Sequence, residues 1–414
     1  VTANECDVLI AGGGIAGATL ALMLGQQGFK VTVIERQNQF PKIYKGEFLQ
    51  PISIEILNKL GILPQVAAHC VKVTKMSYGI GTEKCITASY EDLDIPFRYG
   101  LNGDHYLIHE EVLNAASSLP NVTIMRGVTA RRLLREGGRV VGLEAAHNGD
   151  KLTFVSRVLV GADGIKSVIR EQLAVPYELL SYEEKKAKIC AYTLHMPEPP
   201  EDEVVFLFGK SSGCGIFPLS NNRIRMYLAM TNELWNSIKS KGVEALREMA
   251  ADFFPAYKEQ IDQIEDMKQI QIIPSFHLHT KRWVADGAVL LGDACHAVSP
   301  ALGQGMNLAI QGADTLSHTI GEALRIGRTD AQTLRRYEYE RRKFVRLIQQ
   351  TSSIHTYAWL VSNPAIQTVR NRLFRRIGKC TSIKQTQLDI VAGYRNEHPP
   401  VSQLIRLIGL APAK

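Results

Sequence analysis

The stretch Asp7–Arg36, DVLIAGGGIAGATLALMLGQQGFKVTVIER, constrains the fold more than any other part of the chain. Val8, Leu9 and Ile10 form a short apolar run of the kind a parallel sheet buries on both faces. Gly12, Gly14 and Gly17 follow as a GxGxxG, and a mostly apolar helix continues to Gly28, a natural helix-ending residue. Val31, Val33 and Ile34 read as a second strand, closed by Glu35, 23 residues after Gly12. Gly12 permits a tight turn. Gly14 lets a pyrophosphate approach the backbone at the helix start beside Ala16, and Gly17 lets helix and strand pack closely. Glu35, followed by Arg36, is placed to accept hydrogen bonds from an adenosine ribose. A GxGxxG alone is weak evidence, but inside a strand–helix–strand unit with the acid in place it specifies a dinucleotide site. It does not separate FAD from NAD.

The rest of the sequence narrows the class. With 414 residues, 45 % hydrophobic and 21 % charged, the chain can bury a large core without disulfides. Its seven cysteines are scattered with no CxxC pair, so neither a metal site nor a disulfide framework is expected, and a reducing cytoplasm fits. No apolar run reaches membrane-spanning length, and the opening residues lack the pattern of a secretory signal. The net charge of +7 suits an anionic cofactor in a basic cleft. No motif that reads nucleic acid is present.

Residues 71–108 read as short strands with turns, HEEVLNAASSL as a helix, and residues 122–161 as strands with a hairpin at Gly137 and Gly138. Between 171 and 280, strand-like segments alternate with turn residues, interrupted by one helix, GVEALREMAADFF. Two motifs then carry weight. VLVGADGIKSVIR places Asp163 and Gly164 in a turn between a strand and a helix. In LLGDACHAVSPALGQGMNLAIQGA, a strand ends at Gly292 and Asp293, Pro300 follows in a loop, and Gly303, Gln304 and Gly305 open a long helix. Glycines at a helix start let an anion approach its free amides. Residues 331–377 continue as a long helical pattern.

With GxGxxG, DG and GD motifs in this order, the sequence resembles the single-component FAD-dependent aromatic hydroxylases of the para-hydroxybenzoate hydroxylase type. The resemblance implies an α/β fold: a Rossmann-like FAD-binding domain of the glutathione-reductase type (1–75, 100–175 and 281–330). Into it is inserted a mainly antiparallel substrate-binding sheet (76–99 and 176–280), with a helical C-terminal region (331–414). Gly12, Gly14, Ala16, Gly17, Glu35 and Arg36 would hold the ADP half of FAD, and Gly292 and Asp293 the ribityl–pyrophosphate region. Asp163 would serve both FAD and NAD(P)H. Lys45 would be a second FAD contact, and His109 stands where the family often has an arginine. Pro300, Gly303, Gln304, Gly305, Met306 and Asn307 would present backbone to the isoalloxazine edge, where reduced flavin concentrates negative charge.

The implied reaction is a monooxygenation that consumes NAD(P)H and O2 through a flavin C4a-hydroperoxide. The cofactor carries the chemistry, while the protein binds, orients and excludes water. Phe206, Phe208, Phe217, Pro218 and Tyr227, with Tyr192, alternate along the substrate sheet and would line a pocket for a flat hydrophobic substrate. No side-chain base is assigned. His195, His277, His279 and His296 are candidates that only geometry can promote. The tail PVSQLIRLIGLAPAK sets Leu404, Ile405, Ile408 and Leu410 near one face, to pack on the protein or touch a membrane surface. The chain is expected to be a monomer or homodimer. Rival readings are a halogenase, an isoprenoid epoxidase or prenyl reductase, and a flavin-binding sensor. The halogenase W-x-W-x-I-P is absent, for Trp235, Trp283 and Trp359 stand far apart.

Overall fold

The apolar run near the chain's start becomes the strand Asn4–Ala11, inside an eight-stranded sheet. The computed structural model describes residues 4–40, 42, 47–181, 187–400 and 402. Val31–Glu35 and Asp150–Gly161 flank the first strand in parallel, with Val8 opposite Val31 on one side and Val158 on the other. Val122–Arg126 and Ala288–Leu290 extend the two edges, also in parallel. Helices cover both faces of such a sheet, so its strands are apolar throughout; Val8, Leu9, Ile10, Val158, Leu159 and Val160 are fully buried. The helix Ile15–Gln26 packs on His105–Ser117 and on Gly305–Arg325. A hairpin, Val128–Glu136 and Arg139–His147, continues the sheet antiparallel and turns at Gly137 and Gly138, both at positive φ.

The second large sheet has seven strands, in the order Gln271–Ile272, Ala187–His195, Arg223–Thr231, Ser212–Leu219, Glu203–Phe208, Lys75–Ile80 and Glu83–Ser89. All its pairs are antiparallel except Glu203–Phe208 with Lys75–Ile80. Strand alternation splits its residues between two cores. Val205, Leu207, Cys214 and Leu228 pack with Trp235, Ile238 and Leu246 of the helices Asn232–Lys241 and Val243–Phe253. Phe206, Phe208, Phe217 and Ala229 face the other way, toward Phe48, Ala301 and, from the C-terminal helices, Trp359 and Leu388.

The helical pattern expected over 331–377 is broken in two, Ala331–Leu360 and Pro364–Gly378. Pro364 lacks the N–H that a continuous helix would use, and Asn363 caps the new helix by accepting from the amides of Ala365 and Ile366. A further helix, Thr381–Ala392, ends at Gly393 with φ +96°. No helix among the described residues is long and apolar enough to cross a membrane. Leu404, Ile405, Ile408 and Leu410 of the tail lie outside the described residues, as does Lys45.

Candidate functional site

Three motifs spread over about two thirds of the chain meet at one helix end, and the glycines show how closely. A Cβ on Gly12, whose φ is +109°, would lie 2.3 Å from the Ala162 carbonyl oxygen and 2.9 Å from the Asp163 Cα. One on Gly17 would lie 2.0 Å from the Gly12 carbonyl oxygen, and one on Gly292 would lie 3.0 Å from the Ala16 Cβ. The GxGxxG, DG and GD turns are thus packed together at the start of Ile15–Gln26. Gly14 caps that helix, and beyond its Cα is open space. Neither a capping side chain nor an acid fills the first turn.

The residues around this opening are fixed by hydrogen bonds. Glu35 is buried and accepts from the amides of Gly13, at 2.8 Å, and Gln37, at 2.7 Å. Arg36 points into solvent. His109 is buried against Phe40, and its Nε2 lies 2.7 Å from the Gly13 carbonyl. A carbonyl only accepts, so Nε2 carries the proton; burial lowers the pKa of the ring and keeps it neutral. His109 therefore braces the glycine loop as a neutral donor, unlike a charged arginine. Asp163 directs its carboxylate at its own turn: it accepts from Ser167 and from the amides of Val168, at 2.7 Å, and Ile169, at 3.2 Å. Burial raises its pKa. Asp293 is half-buried in the turn Gly292–Ala294.

The second opening lies at the long helix. Pro300–Leu302 forms one 3-10 turn, Gly303 takes φ +62°, and Gly305–Arg325 begins after Gln304. Space is open beyond Gly305, and no acid stands in the first turn. Met306 and Asn307 are buried. The Asn307 side chain donates to the carbonyls of Phe48, at 2.8 Å, and Gly303, at 3.0 Å. It accepts from the Gln50 amide and the Ser53 hydroxyl, both at 2.8 Å. Gln304 donates to the Val391 carbonyl at 3.1 Å. Two helix starts thus offer amides without intrahelical partners, each beside a glycine that leaves room. One suits a pyrophosphate, and the other suits a ring edge that accumulates negative charge. This donor set fits FAD.

A narrow cavity of about 30 Å³ lies between this loop and the seven-stranded sheet. Pro300, Ala301 and Gly303 form one wall, and Phe206, Phe217 and Trp359 another. Tyr227 and Glu47 also reach it. Phe206 stacks on Tyr78 at 5.3 Å. Phe208 and Pro218, expected in the pocket, are not on its wall: Phe208 packs among His355, Trp359 and Phe374, and the Pro218 carbonyl accepts from Asn102. Tyr192 packs with the sheet's other core, because strand alternation turns it away. None of the four histidines lines the cavity. His195 is exposed at a strand end, and His277 and His279 lie on a separate three-stranded sheet. His296 is buried 5.0 Å from the Trp283 ring, and burial pushes its pKa down to about 3.

The acids and arginine beside the cavity escaped the sequence reading. Arg225 is buried and grips both carboxylate oxygens of Glu47, at 3.1 and 3.0 Å. It also donates to Asp104 at 2.8 Å and to Thr193. The Tyr227 hydroxyl donates to Glu47 at 3.0 Å. Burial raises the Glu47 pKa, and Arg225 opposes that shift. A signal was present in RIRMYLAM. Ile224, Met226 and Leu228 share one strand face, which leaves Arg223, Arg225 and Tyr227 together on the other, inside a sheet covered on both sides.

The family model described as FAD binding domain matches residues 5–352. The chain is 27 % identical over 388 residues to 6-methylpretetramide 4-monooxygenase of Streptomyces rimosus, covering 89 % of this chain and 91 % of that protein. It is 27 % identical over 310 residues to squalene epoxidase 5 of Arabidopsis thaliana, covering 72 % of this chain and 58 % of that protein. In fold it is similar to Pseudomonas aeruginosa PqsL, solved in complex with 2-aminobenzoylacetate. The TM-score is 0.79 at 24 % identity, covering 87 % of this chain and 98 % of that one. The chain belongs to the FAD binding domain family and is an FAD-dependent oxidoreductase.

Proposed function

We propose that this protein is an FAD-dependent monooxygenase that uses NAD(P)H and O2 to hydroxylate an aromatic or quinone-like hydrophobic small molecule. The observation that carries this reading is the cavity enclosed by the Pro300–Gly303 loop on one side and aromatic side chains on the other. Gly12, Gly14, Ala16, Gly17 and Glu35 would hold the ADP half of FAD, and Asp293 the ribityl region. The backbone of Gly303–Asn307 would face the isoalloxazine, with the Gly303 amide itself donating to the Pro300 carbonyl at 2.9 Å. When bound, FAD would pass electrons from NAD(P)H to O2 and so activate the oxygen atom that is transferred. The chain's own residues do the rest. Phe206, Phe217 and Trp359 give a flat substrate apolar faces, and the cavity's narrowness keeps bulk water from the reacting atoms. A cavity of about 30 Å³ takes an aromatic ring only if these side chains turn aside.

Isoprenoid epoxidation is a second reading, favoured by the likeness to a squalene epoxidase and by the apolar wall. One experiment separates the two. The purified yellow protein is incubated with NADPH or NADH and a panel of phenols, quinones and prenyl chains, and O2 uptake and product mass are followed. A ring-hydroxylated product, one oxygen heavier, supports the leading reading, and an epoxide transfers it to the second. Colourless protein that refuses added FAD would sink both.

A further inference from the structure

The polar end of the cavity is made of charges that the chain supplies to itself. The side chains of Arg225, Glu47 and Asp104 are 1 %, 2 % and 7 % exposed. Arg223 closes on the second Asp104 oxygen at 2.9 Å, so two carboxylates balance two guanidiniums. Burying such a set is costly and adds little stability over apolar packing, so its position at a cavity wall is informative. Its inner members are Glu47 and Tyr227, which both line the cavity. The Arg225 fork and the Tyr227 hydroxyl, the donors that an incoming anion would use, already serve Glu47.

Three kinds of ring would fare differently at this end. A ring carboxylate would meet the charge of Glu47 and find these donors engaged. A bare or etherified ring would give Glu47 nothing. A ring hydroxyl could donate to the Glu47 carboxylate or to the Tyr227 oxygen, and a hydrogen bond to a charged group is among the stronger ones. We propose that Glu47, held by Arg225, is a specificity-determining residue that selects uncharged rings bearing a hydroxyl donor and rejects ring carboxylates. This inference rests on the cavity being the substrate site.

The test is a titration of the FAD-loaded protein with 2-naphthol, 2-methoxynaphthalene and 2-naphthoate, read from the shift of the flavin absorption bands. In the wild type, 2-naphthol is expected to bind roughly tenfold or more tightly than 2-methoxynaphthalene. The naphthoate is expected to bind weakest. In Glu47→Gln the naphthoate should gain roughly tenfold and the preference for naphthol should shrink. Tyr227→Phe keeps the charge of Glu47, so it should still reject naphthoate; it serves as the second variant where Glu47→Gln does not fold. If the wild type binds the naphthoate or the ether as tightly as the naphthol, with clear flavin shifts, the specificity proposal is overturned and the substrate-site reading stands. If no probe shifts the flavin bands, the substrate-site reading itself fails and takes the proposal with it.

Discussion

Single residues at the glycine-turn end separate folding from binding. Gly12 is at φ +109°, and a Cβ there would overlap the backbone of Ala162. Gly12→Ala therefore strains the loop and displaces the DG strand end, at a cost of about 3 kcal/mol or more. Gly14 is at φ −63° with open space beyond it, so Gly14→Ala fits the protein but enters the space proposed for the pyrophosphate. Expected outcomes differ accordingly. Thermal unfolding of the apoprotein should show a lower midpoint for Gly12→Ala and nearly none of that loss for Gly14→Ala, while both purify pale. His296 supplies a pH test. Its folded pKa of about 3 lies below the ordinary 6.5, so at pH above 6.5 both folded and unfolded chains hold it neutral. As pH falls below 6.5 the unfolded chain takes up a proton that the folded chain refuses, and stability falls by about 1.4 kcal/mol per pH unit, or about 2 kcal/mol at pH 5. The loss ends as pH nears the folded value. Unfolding curves between pH 7.5 and 5 should fall less steeply for His296→Gln; parallel curves would remove His296 from the account.

At the scale of elements, the sequence revealed what is local. The strand, glycine turn and helix of Asp7–Arg36 are contiguous, and so is the glycine-opened helix after Pro300, because hydrophobic periodicity and helix starts are written within a few residues. The break at Asn363–Pro364 was legible in principle, since a proline preceded by a capping residue is a start signal, but the basic helical pattern on both sides masked it. What joins elements was not legible. Asn307 binds Phe48, Gln50 and Ser53 from more than 250 residues away, and nothing near it in sequence announces those partners. Asn307→Leu keeps the branched shape and leaves the Gln50 amide and Phe48 carbonyl buried without that partner, which costs about 3 kcal/mol. Calorimetry should find a lowered unfolding midpoint together with unchanged ADP affinity, because the GxGxxG end is untouched. A parallel loss of ADP binding would mean that the two helix starts are not independent.

Across the whole molecule, the cavity exists because two sheets with different demands share a boundary. A small three-stranded sheet brings Phe48 to the boundary, and the turn that precedes the helix Gly305–Arg325 brings Pro300–Gly303. The antiparallel sheet brings Phe206, Phe217 and the arginine-bearing face of Arg223–Thr231. The two arrangements were each foreshadowed by strand spacing, but their contact was not, because Glu47 and Arg225 lie 178 residues apart and pair only through the tertiary fold. Composition gave no warning either, since buried ion pairs look like ordinary charges in a residue count. The contact makes a prediction of its own. Arg225→Leu leaves Glu47 and Asp104 as neighbouring buried acids and should destabilise the protein by about 3–5 kcal/mol in denaturant titration. Adding Glu47→Gln to it leaves Asp104 paired with Arg223 and removes the uncompensated charge, so the double variant should recover most of that loss even though it has fewer ionic contacts than the wild type. That order, single variant below double variant, is what an electrostatic boundary requires. If the double variant proved no more stable than Arg225→Leu alone, packing of the arginine stem and not its charge would hold the two sheets together.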